Sequence, residues 1–259
     1  MEAPGNQPRP TTDAARLVLP GRSRPYLLAH RGNRAACPEN TLAAFRRAVQ
    51  DGADILETDL HLSADGIFMC IHDATVDRTT DGHGPVAEMT LDQLKKLHAS
   101  DGRSAYPEER IPTLAELAAI LPGDRAVALE LKTDRFLEEE TCARLAAELD
   151  TLGLSRRAVV LSFSWDQLAC MRRTAPYIPT GWITLSGLRP VAGVDLLGPI
   201  WPFLFANPTY VAAAHRGGQM VCPLDPSPDR RLWYYRLLGC DAVLTDDPAS
   251  TARRLRKSP

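Results

Sequence analysis

The chain alternates short apolar runs, rich in β-branched residues, with amphipathic helical segments over most of its length. Nine runs have the length and composition of strands, at residues 26–29, 55–59, 67–71, 127–131, 158–162, 180–184, 203–206, 219–222 and 242–245. Between them, helices are predicted at residues 41–50, 113–121, 138–149, 165–174, 210–216 and 231–238, the first with Asn40 as its N-cap. Because strands that alternate with helices form βα units, the pattern predicts a parallel sheet.

The chain length decides how such a sheet is arranged. Eight or nine strands in 259 residues favour a closed (β/α)8 TIM barrel over an open doubly wound sheet. One of the nine strands must then lie outside the barrel wall, and the sequence does not identify which. No Gly-x-Gly-x-x-Gly or Walker loop follows a strand, which argues against a nucleotide-binding fold. We expect one barrel domain over residues 25–259, preceded by a flexible, proline-rich tail over residues 1–24.

Residues 73–112 interrupt the alternation. Residues 73–85 are polar and rich in turn formers, residues 91–97 have the pattern of a short helix, and residues 101–112 have that of a loop. This segment is too short for a separate domain. We expect an insertion over the C-terminal mouth of the barrel, after the third strand.

Composition bears on partners and location. The formal net charge of −2 gives no electrostatic footprint for nucleic acid. No run reaches the roughly 18 uninterrupted apolar residues of a transmembrane helix, and the N-terminus lacks the apolar core of a secretory signal. The six cysteines are dispersed without a Cys-x-x-Cys pair, which favours reduced thiols. These features predict a cytoplasmic enzyme and leave its oligomeric state open.

Two carboxylates stand at the end of the second strand. Side chains alternate along a strand, so Glu57 and Asp59 share one face with Ile55 below them, whereas Leu56 and Leu60 face the helices. Paired carboxylates at the C-terminal end of a strand suit a hard cation such as Mg²⁺ or Ca²⁺. A solvent-exposed acid pair at the start of a loop is the alternative.

The same arrangement recurs in the fourth strand. Apolar residues at positions 127, 129 and 131 face outward, which turns Glu130 and Lys132 toward the barrel interior. A barrel interior does not hold these charges without partners. Either the two residues form a mutual salt bridge, or Glu130 is a third metal ligand and Lys132 faces a phosphate.

Two histidines end apolar runs where barrel active sites form. His30 is followed by Arg31, and His72 is followed by Asp73. A histidine pair supplies a general acid and a general base at neutral pH, and the planar guanidinium of Arg31 suits a phosphate. Asp73 either orients His72 or caps the following turn.

Taken in order, these motifs resemble the glycerophosphodiester phosphodiesterase family. The matching segments run from about residue 26 to residue 255 and comprise His30-Arg31-Gly32, Pro38-Glu39-Asn40-Thr41, Glu57-Thr58-Asp59, His72-Asp73, Arg78-Thr79-Thr80-Asp81-Gly82, Ile111-Pro112-Thr113-Leu114, Glu130-Leu131-Lys132 and Thr245-Asp246-Asp247-Pro248.

The resemblance implies a TIM barrel and a set of site residues. It implies Glu57, Asp59 and Glu130 as metal ligands and His30 and His72 as the acid–base pair. The residues expected on the substrate and phosphate side are Arg31, Lys132, Glu39, Asn40 and Cys222. The implied cofactor is a divalent cation, Mg²⁺, Ca²⁺ or Mn²⁺.

Two stretches depart from the family pattern. Relatives usually carry a Trp-Thr-Val-Asn-like segment near a late strand, with its tryptophan on the alcohol side of the pocket, and Cys222 stands in that position here. Trp182 and Trp201 are candidate replacements for the missing ring. The apolar connection over residues 194–205 is either strand with a packed loop or a hydrophobic lip for an acyl chain or a peripheral membrane contact.

The sequence therefore predicts metal-dependent hydrolysis of glycerophosphodiesters to glycerol 3-phosphate and an alcohol by two histidines. A lysophospholipase D-like activity on lysolipids is the first alternative. A catalytically silent barrel that only binds its ligand is the second.

Overall fold

A computed structural model describes residues 17–256 of the chain. Eight parallel strands form a nearly closed barrel in the order β8-β7-β6-β5-β4-β2-β1-β9. Their bounds are β1 Tyr26–Ala29, β2 Ile55–Leu62, β4 Ala126–Leu131, β5 Ala158–Ser162, β6 Thr180–Thr184, β7 Leu196–Pro199, β8 Met220–Val221 and β9 Ala242–Thr245. Between β8 and β9, the backbone N–H of Asp241 donates to the Val221 carbonyl over 2.9 Å. The predicted (β/α)8 architecture is confirmed.

The ninth strand lies outside the wall. Strand β3, Phe68–Cys70, pairs antiparallel with the extension of β2, Leu60 opposite Cys70. The third strand in chain order therefore begins the insertion, and β2 pairs directly with β4 in the barrel. The prediction of a strand at 203–206 is wrong, because these residues fall in a short helix that starts at Pro202, and the strand of this unit is β7.

Side-chain parity separates two apolar layers. Ile55, Ala128 and Leu244 belong to the cluster inside the barrel, whereas Leu56 and Leu129 belong to the cluster under the helices. The alternation predicted for the second and fourth strands is confirmed. It follows that Glu57, Asp59 and Glu130, which share parity with the inner positions, face the barrel axis.

Nine α-helices are found among residues 17–256, and most cover the outside of the sheet. They are α1 Leu42–Gln50, α2 Leu91–Leu94, α3 Leu114–Ile120, α4 Glu139–Thr151, α5 Trp165–Thr174, α6 Pro202–Ala206, α7 Tyr210–Arg216, α8 Leu232–Leu238 and α9 Pro248–Arg256. The N-cap of α1 is Thr41, whose side chain accepts from the backbone N–H of Ala44, and not Asn40 as predicted. Asn40 has a left-handed backbone (φ +53°), and its amide turns toward the barrel mouth.

The segment before β1 closes the bottom of the barrel. Leu17 and Leu19 are buried in the inner cluster beside Tyr26 and Met220. Arg22 and Arg24 of the same segment form ion pairs with Asp54 and Asp241, and the position of the domain boundary stays a prediction. The rest of the predicted tail, residues 1–16, lies outside the described residues.

The insertion has a small core of its own. Met69, Ile71, Val76, Val86 and Leu94 are buried together with Ala99 and Ile111, apart from the two barrel layers. The insertion also holds the β1–α1 loop, since the Tyr106 hydroxyl donates to the Ala36 carbonyl over 3.1 Å. This segment is consequently built into the mouth of the barrel.

All six cysteines lie within residues 17–256, and each is buried and unpaired. Across those same residues, the structure contains no helix with the length and apolar character needed to cross a bilayer.

Gly32 provides a test of how closely the mouth loop approaches helix α1. Its φ is +80°, and an added Cβ would lie 2.7 Å from the Ala44 carbonyl carbon. We expect Gly32→Ala to lower the free energy of unfolding by about 2–5 kcal/mol, from backbone strain and overpacking together. Gly123→Ala is the matched control, because no atom lies within 4 Å of its added Cβ. Equal urea midpoints for both variants would contradict this packing.

Candidate active site

Three buried carboxylates meet at the C-terminal ends of β2 and β4. Parallel pairing sets Asp59 opposite Glu130, and Glu57 lies one inward position earlier on β2. One carboxylate oxygen from each of the three residues lies within 4.8 Å of the others. The structure thus brings together the three acids that the sequence proposes as metal ligands.

The electrostatics of this cluster are those of crowded negative charge. Burial, together with the nearby charges of Asp59 and Glu130, raises the pKa of Glu57 well above its ordinary value. Burial and Asp59 likewise raise the pKa of Glu130. Holding the three carboxylates side by side therefore destabilises the folded chain, and a bound cation would offset the repulsion between them.

Lys132 supplies part of the compensation. Its Nζ donates to Glu130 Oε1 over 2.6 Å and lies 3.3 Å from Asp59 Oδ1. Burial alone would lower the pKa of Lys132, but Asp59 and Glu130 outweigh burial and raise it. Lys132 and Glu130 form the salt bridge that the sequence offers as an alternative to metal binding. Two further acids, Glu57 and Asp59, lie beside this salt bridge.

The donor set fits a hard divalent cation. All three groups offer carboxylate oxygens, which Mg²⁺ and Ca²⁺ prefer. Asp59 Oδ1 is buried and accepts no hydrogen bond among the described residues, although its partner oxygen Oδ2 accepts from Asn40 over 2.9 Å. Asp59 thus contributes to the cluster a buried oxygen whose recorded neighbour is Lys132 Nζ at 3.3 Å, and which is free, within residues 17–256, of hydrogen bonds that would compete with a cation.

Each of the two predicted histidines is paired with an aspartate. His30 Nδ1 lies 2.7 Å from Asp246 Oδ1, and His72 Nδ1 lies 2.5 Å from Asp73 Oδ1. A carboxylate accepts from the ring, so the proton of a neutral imidazole stands on Nδ1 and leaves Nε2 to accept. Burial lowers the pKa of His72 despite the opposing effect of Asp73, which favours the neutral ring.

Arg31 ties the acids to the mouth loop. Its backbone N–H donates to Glu57 Oε2 over 2.8 Å, and its Nε lies 3.2 Å from Asp59 Oδ2. A third contact joins its Nη1 to Glu39 Oε1 over 3.0 Å. Arg31 therefore brings positive charge next to the carboxylate cluster.

Glu39 and Asn40, both expected on the phosphate side, have partners within the protein, and their expected contact with a phosphate stays a prediction. Glu39 is buried and pairs with Arg31, Arg34 and Arg78. Burial would raise the pKa of Glu39, but the Arg78 hydrogen bond and the other two arginines lower it to about 2. A buried anion repels a phosphate, so this arrangement favours a positioning role for Glu39.

Asn40 uses both ends of its amide within the protein. Its Nδ2 donates to Asp59 Oδ2 over 2.9 Å, and its Oδ1 accepts from the Thr58 hydroxyl over 2.8 Å. The left-handed backbone of Asn40 makes this reach possible. Asn40 therefore contacts one of the three clustered carboxylates, and its expected place on the phosphate side stays a prediction.

Cys222 lies directly after β8 and packs inside the barrel with 6% of its surface exposed. Burial raises the pKa of its thiol, which keeps it protonated. Its expected place beside the leaving alcohol stays a prediction. Of the two proposed replacement rings, Trp182 packs on the outer layer against Trp165, and Trp201 stacks under Arg231.

Sequence reasoning assigned no role to four residues of this site. Arg78 and Asp246 appeared only within family motifs, and Arg34 did not appear at all. His61 Nε2 donates to the His72 carbonyl over 3.1 Å, which fixes the backbone beside the ring. The sequence does carry a signal for His61, because it continues the period-two spacing of Glu57 and Asp59 along β2 and therefore shares their face.

The low pKa of Glu39 predicts a specific acid response. Since its folded pKa lies near 2 against an ordinary 4.5, ionised Glu39 stabilises the fold above pH 4.5, and this contribution is lost as the pH falls toward 2. We expect Glu39→Gln to have a free energy of unfolding lower than that of the parent by on the order of 3 kcal/mol at pH 6.

The difference in unfolding free energy between the parent and Glu39→Gln, measured by urea titration, should shrink steadily as the pH falls from 4.5 to 2. The exposed Glu140→Gln is the control and should show no such trend. A difference that does not change with pH would mean that Glu39 is not held ionised by its arginines.

Comparisons with known proteins identify the family and the fold. Residues 30–250 match the model of the glycerophosphoryl diester phosphodiesterase family. The chain is 34% identical over 240 residues to a glycerophosphodiester phosphodiesterase of Caldanaerobacter subterraneus subsp. tengcongensis, covering 89% of this chain and 98% of the relative.

Solved structures give the same result. An Oleispira antarctica phosphodiesterase, solved with the product sn-glycerol-3-phosphate, superposes with a TM-score of 0.81 at 30% identity, over 90% of this chain and 97% of that one. A glycerophosphodiester phosphodiesterase from Agrobacterium tumefaciens superposes with a TM-score of 0.76 at 28% identity, over 88% and 99%. The chain, a phosphodiesterase with its acids and histidines gathered at the barrel mouth, belongs to the glycerophosphodiester phosphodiesterase family.

Proposed function

We propose that this enzyme hydrolyses glycerophosphodiesters to glycerol 3-phosphate and an alcohol, with a divalent cation and two histidines. The observation that carries the proposal is the meeting of three buried carboxylates with two His–Asp pairs at one end of the barrel. The product bound to the Oleispira relative, sn-glycerol-3-phosphate, supports the proposed product.

Glu57, Asp59 and Glu130 would hold the cation, Mg²⁺, Ca²⁺ or Mn²⁺. When bound, the cation supplies a Lewis acid for the phosphoryl oxygens and a template for the substrate. Arg31 and Lys132 border the same carboxylates. Their positive charges would stabilise the negative charge that builds on the phosphoryl oxygens in the transition state.

The histidines would move the protons. In the first step, Nε2 of His72 takes the proton of the glycerol 2-hydroxyl, whose oxygen bonds to phosphorus. The bond from phosphorus to the leaving alcohol breaks, and His30, which enters this step with a proton on Nε2 as well as on Nδ1, donates its Nε2 proton to the alcohol oxygen. A cyclic phosphate and a free alcohol result. Water then opens the ring with the two histidines in reversed roles.

The choice of His72 as base rests on its environment. Burial lowers the pKa of His72, so its ring is neutral and able to accept a proton at neutral pH. Its Nδ1 is engaged by Asp73, which leaves Nε2 for the substrate. His30 is then left as the acid.

Metal dependence is the first prediction of the proposed function. Treatment with a chelator should abolish activity on glycerophosphocholine, and one of Mg²⁺, Mn²⁺ or Ca²⁺ should restore it. Glu57→Gln should remove both activity and calorimetric binding of that cation while unfolding stays cooperative. The exposed Glu140→Gln should leave both unchanged. Full activity after exhaustive chelation would refute the proposal.

The histidine pair gives the second prediction. His30→Ala and His72→Ala should each lower kcat by about 10²–10⁴-fold, because each removes one proton-transfer partner. The double variant should be little worse than the poorer single variant, since the two groups act as a unit. His98 is the matched control, as it forms a similar pair with Asp81 outside the site, at 2.7 Å. Independent, multiplicative losses would count against a shared mechanism.

A lysolipid substrate is the second candidate. Phe163 and Leu185 directly follow β5 and β6 at the mouth end of the barrel, and both are exposed, as is Leu188. Exposed apolar groups in this position would receive an acyl chain. Activity on glycerophosphocholine without activity on lysophosphatidylcholine would exclude this candidate.

A further inference from the structure

We propose that Glu39 is a shared positioning residue, which holds both His–Asp pairs in place through two separate arginines. Asp246 and Asp73 then act as the positioning partners of His30 and His72. This inference rests on the proposed function, because it assigns the supports of the two histidines that function uses.

The first arm runs to His30. Arg34 Nη2 lies 3.1 Å from Glu39 Oε2, and Arg34 Nη1 lies 3.9 Å from Asp246 Oδ2. The other oxygen of Asp246 is the one that lies 2.7 Å from His30 Nδ1. A single guanidinium therefore spans from the buried glutamate to the carboxylate that orients the ring.

The second arm runs to His72 and is tighter. Arg78 Nη2 donates to Glu39 Oε1 over 2.8 Å, and Arg78 Nε donates to Asp73 Oδ2 over 2.6 Å. Asp73 Oδ1 lies 2.5 Å from His72 Nδ1. Because its contacts are direct hydrogen bonds, this arm should hold its histidine more firmly than the Arg34 arm does.

The position of Glu39 explains why both arms depend on it. Its side chain is 3% exposed, whereas those of Arg34 and Arg78 are 31% and 43% exposed. Without the buried carboxylate, three guanidinium groups would repel one another, and the two more exposed ones have water to move into. Asp73 would then lose its hydrogen-bond donor Arg78, and Asp246 would lose its ion-pair partner Arg34.

The arrangement also joins distant parts of the chain. Glu39 lies in the β1–α1 loop, Arg78 in the insertion and Asp246 directly after β9. A purely structural tie between loops would change the free energy of unfolding and leave the tautomers of His30 and His72 unchanged. A positioning role predicts that these tautomers change when the tie is broken.

The test measures ring tautomers by nitrogen-15 NMR of the full chain with and without Mg²⁺. Arg34→Gln should raise the Nε2-protonated fraction of His30 alone, and Arg78→Gln should raise that of His72 alone. Glu39→Gln should affect both rings. His98 is the internal control, and Arg47→Gln, which breaks a surface pair with Asp51, is the control variant.

Kinetics on glycerophosphocholine add a second readout. Each arginine variant should lower kcat by about 10–100-fold, as loss of supporting partners does at other sites, with KM within about twofold. The Arg78→Gln effect should largely vanish in the Glu39→Gln background, since both changes cut the same arm. Arg78→Lys should keep only part of the parent's kcat, because a lysine ammonium lacks the planar guanidinium that donates to Glu39 and Asp73 at once.

The outcomes separate two failures. Unchanged tautomers and additive kinetic losses would overturn the inference even where His30→Ala and His72→Ala are inactive. Full activity of those two alanine variants would instead overturn the proposed function, while the tautomers still decide the positioning role. If Glu39→Gln does not fold, the two arginine variants decide alone: a selective response of one ring to each supports the inference, and no response overturns it.

Discussion

Burial of charge at the mouth of the barrel is the constraint on which this site depends. Glu57, Asp59 and Glu130 all face inward at adjacent positions of β2 and β4. The effective cost of removing such ions from water is several kcal/mol each, and only well-placed partners offset it. Lys132 and Arg31 are these partners within the described chain. The proposed chemistry thus depends on a carboxylate cluster that is unfavourable without its counter-charges.

That requirement also organises the loops. Asn40 has a left-handed backbone that lets its amide reach Asp59, and Gly32 allows the same loop to lie against α1. The insertion then covers the loop, with Tyr106 on its backbone and Arg78 on Glu39. The mouth is therefore a polar layer in which each of four cations contacts an acid from a different segment: Arg31, Arg34, Arg78 and Lys132.

Much of this could be predicted from the sequence, and the reason is periodicity. Strand parity alone turns Glu57, Asp59 and Glu130 inward, and the ends of parallel strands must meet at one edge. The helix that covers residues 203–206 carries a local signal that the strand assignment passed over, since Pro202 stands at its first position. Two other features needed long-range information. The antiparallel direction of β3 depends on its pairing with Leu60. The partners of Glu39 come from residues up to 39 positions away.

The separate core of the insertion has a consequence for how activity and folding are related. His72 follows β3, outside the barrel wall, and the small cluster around Met69, Val76 and Leu94 anchors this segment. Regions with their own small cores tend to open as cooperative units at lower cost than the whole molecule. One histidine of the pair thus belongs to a unit that can open while the barrel and the carboxylates remain intact. Under the proposed mechanism, heating would then abolish activity by unfolding the insertion, while the barrel and its three carboxylates stay folded.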